Sequence, residues 1–445
     1  MAEQDLMEKI VSLAKRRGFV YQGSEIYGGL AGTWDYGPLG VSLKNNIKNI
    51  WWRMFVDGWD DMFGVDAAIV MSPRVWEASG HVAGFSDPLV ECKKCKKRFR
   101  ADQLDEKMLK ENPCVKGEHE FGPARQFNMM FKTHVGAMED ETSVSYLRPE
   151  TAGGIFVNFK NVVDSFHPKL PFGIAQIGKA FRNEIAPRDF IFRSREFEQM
   201  EIEYFVAPEM WEEKFEKWRK DVHSFIKGVG IDSGKVHELE VEEADRAHYS
   251  KRTIDFEFDF PFGRKELYGL AYRGNFDLSS HQDASKQNLK YVEEGKEPFL
   301  PHVIEPSFGV DRTVLAVLAS AYTEDDLGGE KRVYMKFVPA VAPVKAAVFP
   351  LLKNKPELVA KAREVYDMLK KKIPQIMFDD NGNVGKRYRR QDEIGTPWTI
   401  TIDFDTLGEN PELLNTVTVR DRDTGEQKRV HLDELYPLLA EGLAV

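Results

Sequence analysis

The sequence predicts an α+β protein of two architectures: a body of antiparallel sheet with flanking helices over residues 1–339, then a smaller α/β unit over 340–445. Two observations carry this. From 144 to 205, and again from 252 to 276, short β-branched and aromatic segments alternate with turn signals, the pattern of an antiparallel sheet. Near 340 the character changes. VKAAVFPLL reads as a buried strand, ELVAKAREVYDMLKKKI as an amphipathic helix, and IMFDD, WTITIDF and TVTVRD as strands before a last helix at HLDELYPLLAEGL. Such alternation implies a mainly parallel α/β unit.

The elements follow in order. Leu6, Ile10, Leu13 and Ala14 have the spacing of an amphipathic helix and lack the apolar core of a signal peptide. A glycine-rich, aromatic loop, GGLAGTWDYGPLG, precedes a helix from Val41 to about Asp57 that places Ile47, Ile50, Trp51 and Phe55 on one side. VDAAIVMSP, 65–73, reads as a strand stopped by Pro73, which cannot donate to a ladder. Residues 91–125 are polar, basic and cysteine-bearing, an insertion on the body; a helical, charged excursion begins at 208 and extends to about 250. HVIEPSFGVDRTVLAVLASAY, 302–322, reads as strand, turn and apolar helix, with Arg312 in the first turns.

Composition excludes several classes. The formal charge is −10, so nucleic-acid contact must use local basic patches, and no DNA-binding role is expected. No stretch reaches the length of a membrane span. Three cysteines, two as Cys92-x-x-Cys95, are too few for a disulfide scaffold and suit a reducing cytoplasm.

The segment FRNEIAPRDFIFRSREFEQMEIEYF, 181–205, is dense in arginine and glutamate for two strands and a loop. One reading is a solvated hairpin whose ion pairs each contribute a few tenths of a kcal/mol. The other is a ligand site. Arginine suits phosphate because its planar fork of donors matches phosphate oxygens and stays charged, and a phenylalanine among arginines can stack on a base. Arg182, Arg193, Arg195, Phe197 and Arg312 are what a nucleoside triphosphate needs. The chain has neither a P-loop nor Gly-x-Gly-x-x-Gly, so side chains must hold the triphosphate.

The motifs SEIYGGLAGTWDYGPLG, VWEASGHVAGFSDP, RPETAGG, FRSREFEQMEIEYF and VIEPSFGVDR occur in one order. With the helix, strand and Pro73 unit, Phe181-Arg182-Asn183-Glu184 and Gly309-Val310-Asp311-Arg312, they make the chain resemble the class II aminoacyl-tRNA synthetases. Within these it resembles the dimeric glycyl-tRNA synthetases of the bacterial single-chain type, from about residue 5 to the C-terminus. The resemblance implies a class II antiparallel-sheet catalytic domain, a C-terminal α/β anticodon-binding domain, and a cytoplasmic homodimer that joins glycine to tRNA(Gly) using ATP and Mg²⁺. It implies catalytic roles for Arg182 and Arg312. ATP contacts are implied for Asn183, Glu184, Phe192, Arg193, Ser194, Arg195, Glu196, Phe197, Glu266, Leu267, Gly309, Val310 and Asp311. Phe197 would stack on adenine with Arg312 over the other face, and Glu266 would help to hold Mg²⁺. For glycine it implies Glu150, Glu201, Glu305 and Ser307 around the ammonium, Arg100 as a substrate-contacting arginine, and Phe197, Glu198, Gln199, Met200, Pro306, Phe308 and Gly309 about the pocket. Because every competing amino acid is larger, steric exclusion can replace an editing site.

Cys92, Cys95, Cys114 and His119 have the spacing of a structural zinc site. Family members often carry two Cys pairs here, so a metal-free hairpin is the alternative. Lys93, Lys94, Lys96, Lys97, Arg98 and Arg100 form a basic patch that could meet the acceptor stem, or a solvated face. Lys386-Arg387-Tyr388-Arg389-Arg390 interleaves charge and an aromatic, as RNA-loop readers do. His81 and His134 read as structural hydrogen-bonders. Two rivals stand: a class II synthetase for serine, alanine or proline, and a synthetase-like binding or regulatory protein without catalysis.

Overall fold

The computed structural model describes residues 3–443 except 248; residues 1, 2, 444 and 445, at the outer ends of the two expected units, lie outside the described residues. The helix Pro38–Trp52 opens on a proline, whose missing N–H has no intrahelical acceptor at that position anyway. It runs on through one π turn, Arg53–Asp57. Leu43, Ile47, Trp51 and Phe55 on its inner side are fully buried.

Seven strands form the central sheet in the order Val236–Glu240, Arg252–Phe260, Gly263–Gly274, His302–Gly309, Glu196–Val206, Phe172–Phe181 and Met62–Gly64. Every neighbouring pair but the last is antiparallel. The strand expected over 65–73 does not form. Its place at the sheet edge is taken by Met62–Gly64, and within 65–73 only Val70 bridges, to Leu147. The Arg148 guanidinium donates to the Ala67 carbonyl at 2.7 Å, so a side chain meets a group that a ladder would have used. Pro73 opens a helix, Pro73–Ala78, and stops nothing.

Strand alternation divides the residues of Glu196–Val206 between two faces. Met200, Ile202 and Tyr204 enter the large core that also holds Trp51, Phe55, Trp218 and Phe225. On the opposite face Phe205 packs with Phe172 and with Phe159 of the helix Ala152–Phe166. The next residues along that face are Glu203, Glu201, Gln199 and Phe197, beyond the start of the helix at Ala152. Helix cover therefore ends where the charged half of the face begins.

The C-terminal sheet runs Ile376–Phe378, Ala346–Pro350, Trp398–Ile402, Thr416–Asp421, Gln427–His431 and has its own apolar core. Only its first two pairings are parallel; the last two are antiparallel, which corrects the mainly parallel expectation. The return strand Gln427–His431 follows Thr416–Asp421 closely enough for a tight connection, which an antiparallel pair permits and a parallel pair does not. A hairpin of Tyr322–Leu327 and Glu330–Met335 ties the two sheets together. Arg332 pairs with Asp325 at 2.7 Å and Asp392 at 3.2 Å, and Arg420 reaches Asp392 at 2.8 Å. Arg332, Asp392 and Arg420 are all buried.

Candidate active site

The uncovered half of the sheet face opens into a cavity of about 470 Å³. At one end lie Arg182, Arg193, Arg312, Phe192, Phe197 and Glu266. Arg182 is fixed by an Nε bond to the Pro149 carbonyl at 3.1 Å, with its guanidinium 5.4 Å from the Phe85 ring centre and 5.2 Å from that of Phe197. Arg312, in the first turn of the helix Val310–Ala321, lies 4.6 Å from the Phe192 ring centre and bonds to Glu266 at 3.0 Å. Arg193 is 4.0 Å from Glu184, whose buried Oε2 has no hydrogen-bond partner. Burial lowers the Arg193 guanidinium, and the Glu184 charge opposes this. Arg312 is thus paired with Glu266, Arg193 lies at the outer limit of an ion pair with Glu184, and Arg182 makes no ion pair among the described residues.

The other end is acidic. Glu201 accepts from the Ser307 hydroxyl at 2.9 Å and from the Thr151 N–H at 3.1 Å. Glu150 lies 3.3 Å from the His81 ring. Burial pushes the Glu150 carboxyl up, but the His81 contact, then Arg273 and Arg182, outweigh it and bring it down to about 2. Burial lifts Glu305 to about 8, against the pull of Arg273 and with the help of the Glu201 and Glu150 charges. Several buried carboxylates around one arginine leave this end short of positive charge.

The remaining predicted residues distribute by strand alternation and by ion pairing. Ser194, Gln199, Leu267, Gly309 and Asp311 line the cavity, as do Glu198 and Arg100. Glu198 pairs with Lys44 at 2.9 Å and Lys48 at 3.1 Å, and its N–H bonds to Asp311 at 2.7 Å. Arg100 reaches Asp87 at 2.6 Å and Asp102 at 2.7 Å. Arg195 does not line the cavity: it donates to the Ala31 and Glu184 carbonyls, pinning the glycine-rich loop to the loop 182–195. Glu196 pairs with Lys179 at 2.8 Å outside it. Asn183 is held by its N–H to the Met129 carbonyl. Met200, Phe308 and Val310 are core residues, and Pro306, two residues before Phe308 on the same strand, is absent from the cavity wall. Arg193 and Arg195 have the parity of Phe197 in sequence but precede the strand, which starts at Glu196.

Sequence reading missed two cavity groups, Asp255 and Tyr249, and a buried arginine that bonds to the cavity residue Glu305 without lining the cavity itself. Arg273, buried at the end of the strand Gly263–Gly274, makes two bonds of 2.7 Å to Asp277 and one of 2.8 Å to Glu305. The signal was an arginine closing the apolar run LYGLAY, with an aspartate four residues on. Asp255 is raised to about 7 by burial, then by the charges of Glu266 and Glu257. Tyr249 reaches the cavity from the loop 241–250, which carried no pattern.

Away from the cavity, Cys92, Cys95, Cys114 and His119 bring their ligand atoms within 4.8 Å of one another. His119 Nε2 lies 2.8 Å from the Asn112 carbonyl and Nδ1 lies 3.8 Å from Cys95 Sγ. A ring donating through Nε2 presents Nδ1 as a ligand. Burial resists ionisation of Cys92, but the backbone of Cys95 and Glu120 and the His119 ring bring its thiol down to about 5. The donor set fits zinc. In the C-terminal helix Val384–Ile394, Arg387 is buried and spends its fork on backbone carbonyls, leaving less of the basic segment to meet RNA than its sequence promised.

A cavity with an arginine-rich end and an acidic end, on an antiparallel sheet with a separate mixed α/β unit, defines a class II tRNA synthetase. Residues 131–321 match the family model of the tRNA synthetase class II core domain (G, H, P, S and T), and residues 345–442 match that of the anticodon binding domain. Similar curated proteins include a glycine–tRNA ligase of Caldanaerobacter subterraneus subsp. tengcongensis, 50% identical over 98% of each chain, and one of Clostridium tetani, 49% identical over 99% of each. That of Borrelia garinii subsp. bavariensis is 50% identical over 97% of this chain and 96% of its own. The chain belongs to the glycine–tRNA ligase family, of the bacterial single-chain type.

Proposed function

We propose that the chain works as a cytoplasmic homodimer that condenses ATP with glycine to glycyl adenylate and pyrophosphate, then transfers glycine to the 3′-hydroxyl of the terminal adenosine of tRNA(Gly). The supporting observation is the junction, in one cavity, of Arg182, Arg193 and Arg312 with the buried carboxylates Glu150, Glu201 and Glu305. Glycine offers an ammonium, a carboxylate and no side chain. The acidic end suits the ammonium, and Arg182 and Arg312 stand where triphosphate charge would be neutralised. Displacement at phosphorus asks the protein chiefly for positioning and preorganised charge. The orphaned Glu184 Oε2 fits a hydrogen-bond donor such as an adenine amine. Glu266 and Asp255 would hold Mg²⁺, which when bound neutralises phosphate charge; mutual repulsion of their carboxylates is what a dication relieves. ATP–pyrophosphate exchange across glycine, alanine, serine and proline tests the reading. Exchange with another of these but not with glycine overturns it, and no exchange with any favours a binding protein.

Dimerisation is supported by the exposed Ile26, Tyr27 and Leu30 of the SEIYGGLAG loop and by the exposed Val41 on the helix Pro38–Trp52. A single-chain mass in light scattering would contradict it.

The pH dependence follows from Glu305. In the empty pocket it keeps its proton until about pH 8, whereas an ammonium favours the carboxylate. Glycine must then displace that proton below pH 8, so the Michaelis constant for glycine in exchange should fall as pH rises from 6 to 8, by at most about tenfold per unit. Glu305→Gln should flatten the slope. A flat wild-type profile would refute the assignment.

Zinc is the group for which the Cys and His cluster is suited. The protein purified from zinc-supplemented cells should carry about one zinc per chain and Cys92→Ser much less. A metal content near zero in the wild type would leave the hairpin metal-free.

A further inference from the structure

Glycine differs from every competitor by what it lacks, so the group that rejects competitors must fill the volume of a side chain. The acidic end of the cavity has a floor of Glu150, Glu201 and Glu305, and the buried Arg273 holds Glu305 from outside the lining. Beside this end lies the connection from the strand Val236–Glu240 to the strand Arg252–Phe260. It brings Val241, Ala247 and Tyr249 to the cavity. The Tyr249 ring sits on the Arg273 guanidinium, 3.7 Å from its ring centre.

Hydrogen bonds hold Arg273 itself and residues on either side of Tyr249. Arg273 is buried and locked by its bonds to Asp277 and Glu305. The loop is closed on itself: Arg246 donates to the Val241 carbonyl at 2.9 Å and to the Lys251 carbonyl at 2.6 Å, and Ser250 Oγ lies 2.6 Å from Thr253 Oγ1. Burial, against Arg273 and with the charges of Glu305, Glu150 and Asp277, raises the Tyr249 phenol and keeps it neutral. A rigid aromatic slab on a fixed guanidinium is thus held beside the carboxylates that would receive the ammonium.

We propose that Tyr249 is a specificity-determining residue that denies space to any side chain on the amino-acid Cα. The proposal rests on the glycine reading given above. A pocket that is merely tight discriminates one methylene by roughly 10- to 200-fold, the range open to this ring.

The test is ATP–pyrophosphate exchange with glycine and with alanine for the wild type, Tyr249→Phe, Tyr249→Leu and Tyr249→Ala. The ratio of kcat/KM for glycine to that for alanine should fall by at least about tenfold in Tyr249→Ala and less in Tyr249→Leu. Tyr249→Phe keeps the ring and should keep the ratio near that of the wild type, a rescue that general loosening of the loop would not give. A ratio within twofold of the wild type in both Tyr249→Ala and Tyr249→Leu overturns the proposal, however far the absolute rates fall. Absence of glycine-dependent exchange in the wild type itself would instead sink the underlying functional reading.

Discussion

Arg182→Ala should reduce glycine-dependent ATP–pyrophosphate exchange by about 10²–10³-fold, the loss expected when a preorganised charge aimed at a transition state is removed. The residue is placed for such a role before any ligand arrives. Its Nε is engaged with the Pro149 carbonyl, Phe85 and Phe197 flank its guanidinium, and among the described residues its terminal nitrogens make no hydrogen bond to a protein acceptor. Arg182→Lys keeps the charge but loses the planar fork, so it should fall between the wild type and the alanine variant. Because the side chain is partly exposed and sits outside the main apolar cores, thermal stability should change little. Exchange within about tenfold of the wild type in the alanine variant would contradict the assignment.

Asp392→Ala should cost about 3–5 kcal/mol of stability, the range for removing one partner from a buried ion-pair network. Asp392 accepts from both Arg332 and Arg420, and all three are buried at the junction between the β-hairpin 322–335 and the C-terminal sheet. Its removal strands two guanidinium groups away from water. Asp325 still holds Arg332, so the larger part of the loss should come from Arg420. The midpoint of urea unfolding monitored in the C-terminal unit reports this, and a midpoint indistinguishable from the wild type would show the network to be dispensable. Arg332 lies in the hairpin that follows the helix Val310–Ala321 and leads to the C-terminal unit, so loosening the seam should leave exchange at the active site intact and lower aminoacylation of tRNA more.

Much of the site was legible because its chemistry is local. Phe197 and Glu201 share one strand, Glu305 and Ser307 another, Arg312 sits in the first turn of the helix that follows, and Arg182 is the residue after the strand Phe172–Phe181. Local pattern also misled. VDAAIV has strand composition, yet Arg148, distant in sequence, takes the Ala67 carbonyl and leaves the edge to Met62–Gly64. Arg195 shares parity with Phe197 but precedes the strand, and its guanidinium serves the loop carbonyls. Arg387 looked like an RNA contact and is a buried strut.

Legible in the sequence alone were an antiparallel body followed by a smaller unit of strands and helices, the order of the motifs, and the residues whose chemistry suits a triphosphate. Periodicity and residue chemistry suffice for these, since both are written along the chain. Only the tertiary structure decided which residues meet: it brought Tyr249 to the acidic end, bonded the buried Arg273 to Glu305, took Arg195 out of the cavity, and buried Asp392 between two arginines. Burial and the sum of neighbouring charges depend on segments far apart in sequence, and they set whether a glutamate such as Glu305 holds its proton to about pH 8 or one such as Glu150 gives it up near 2.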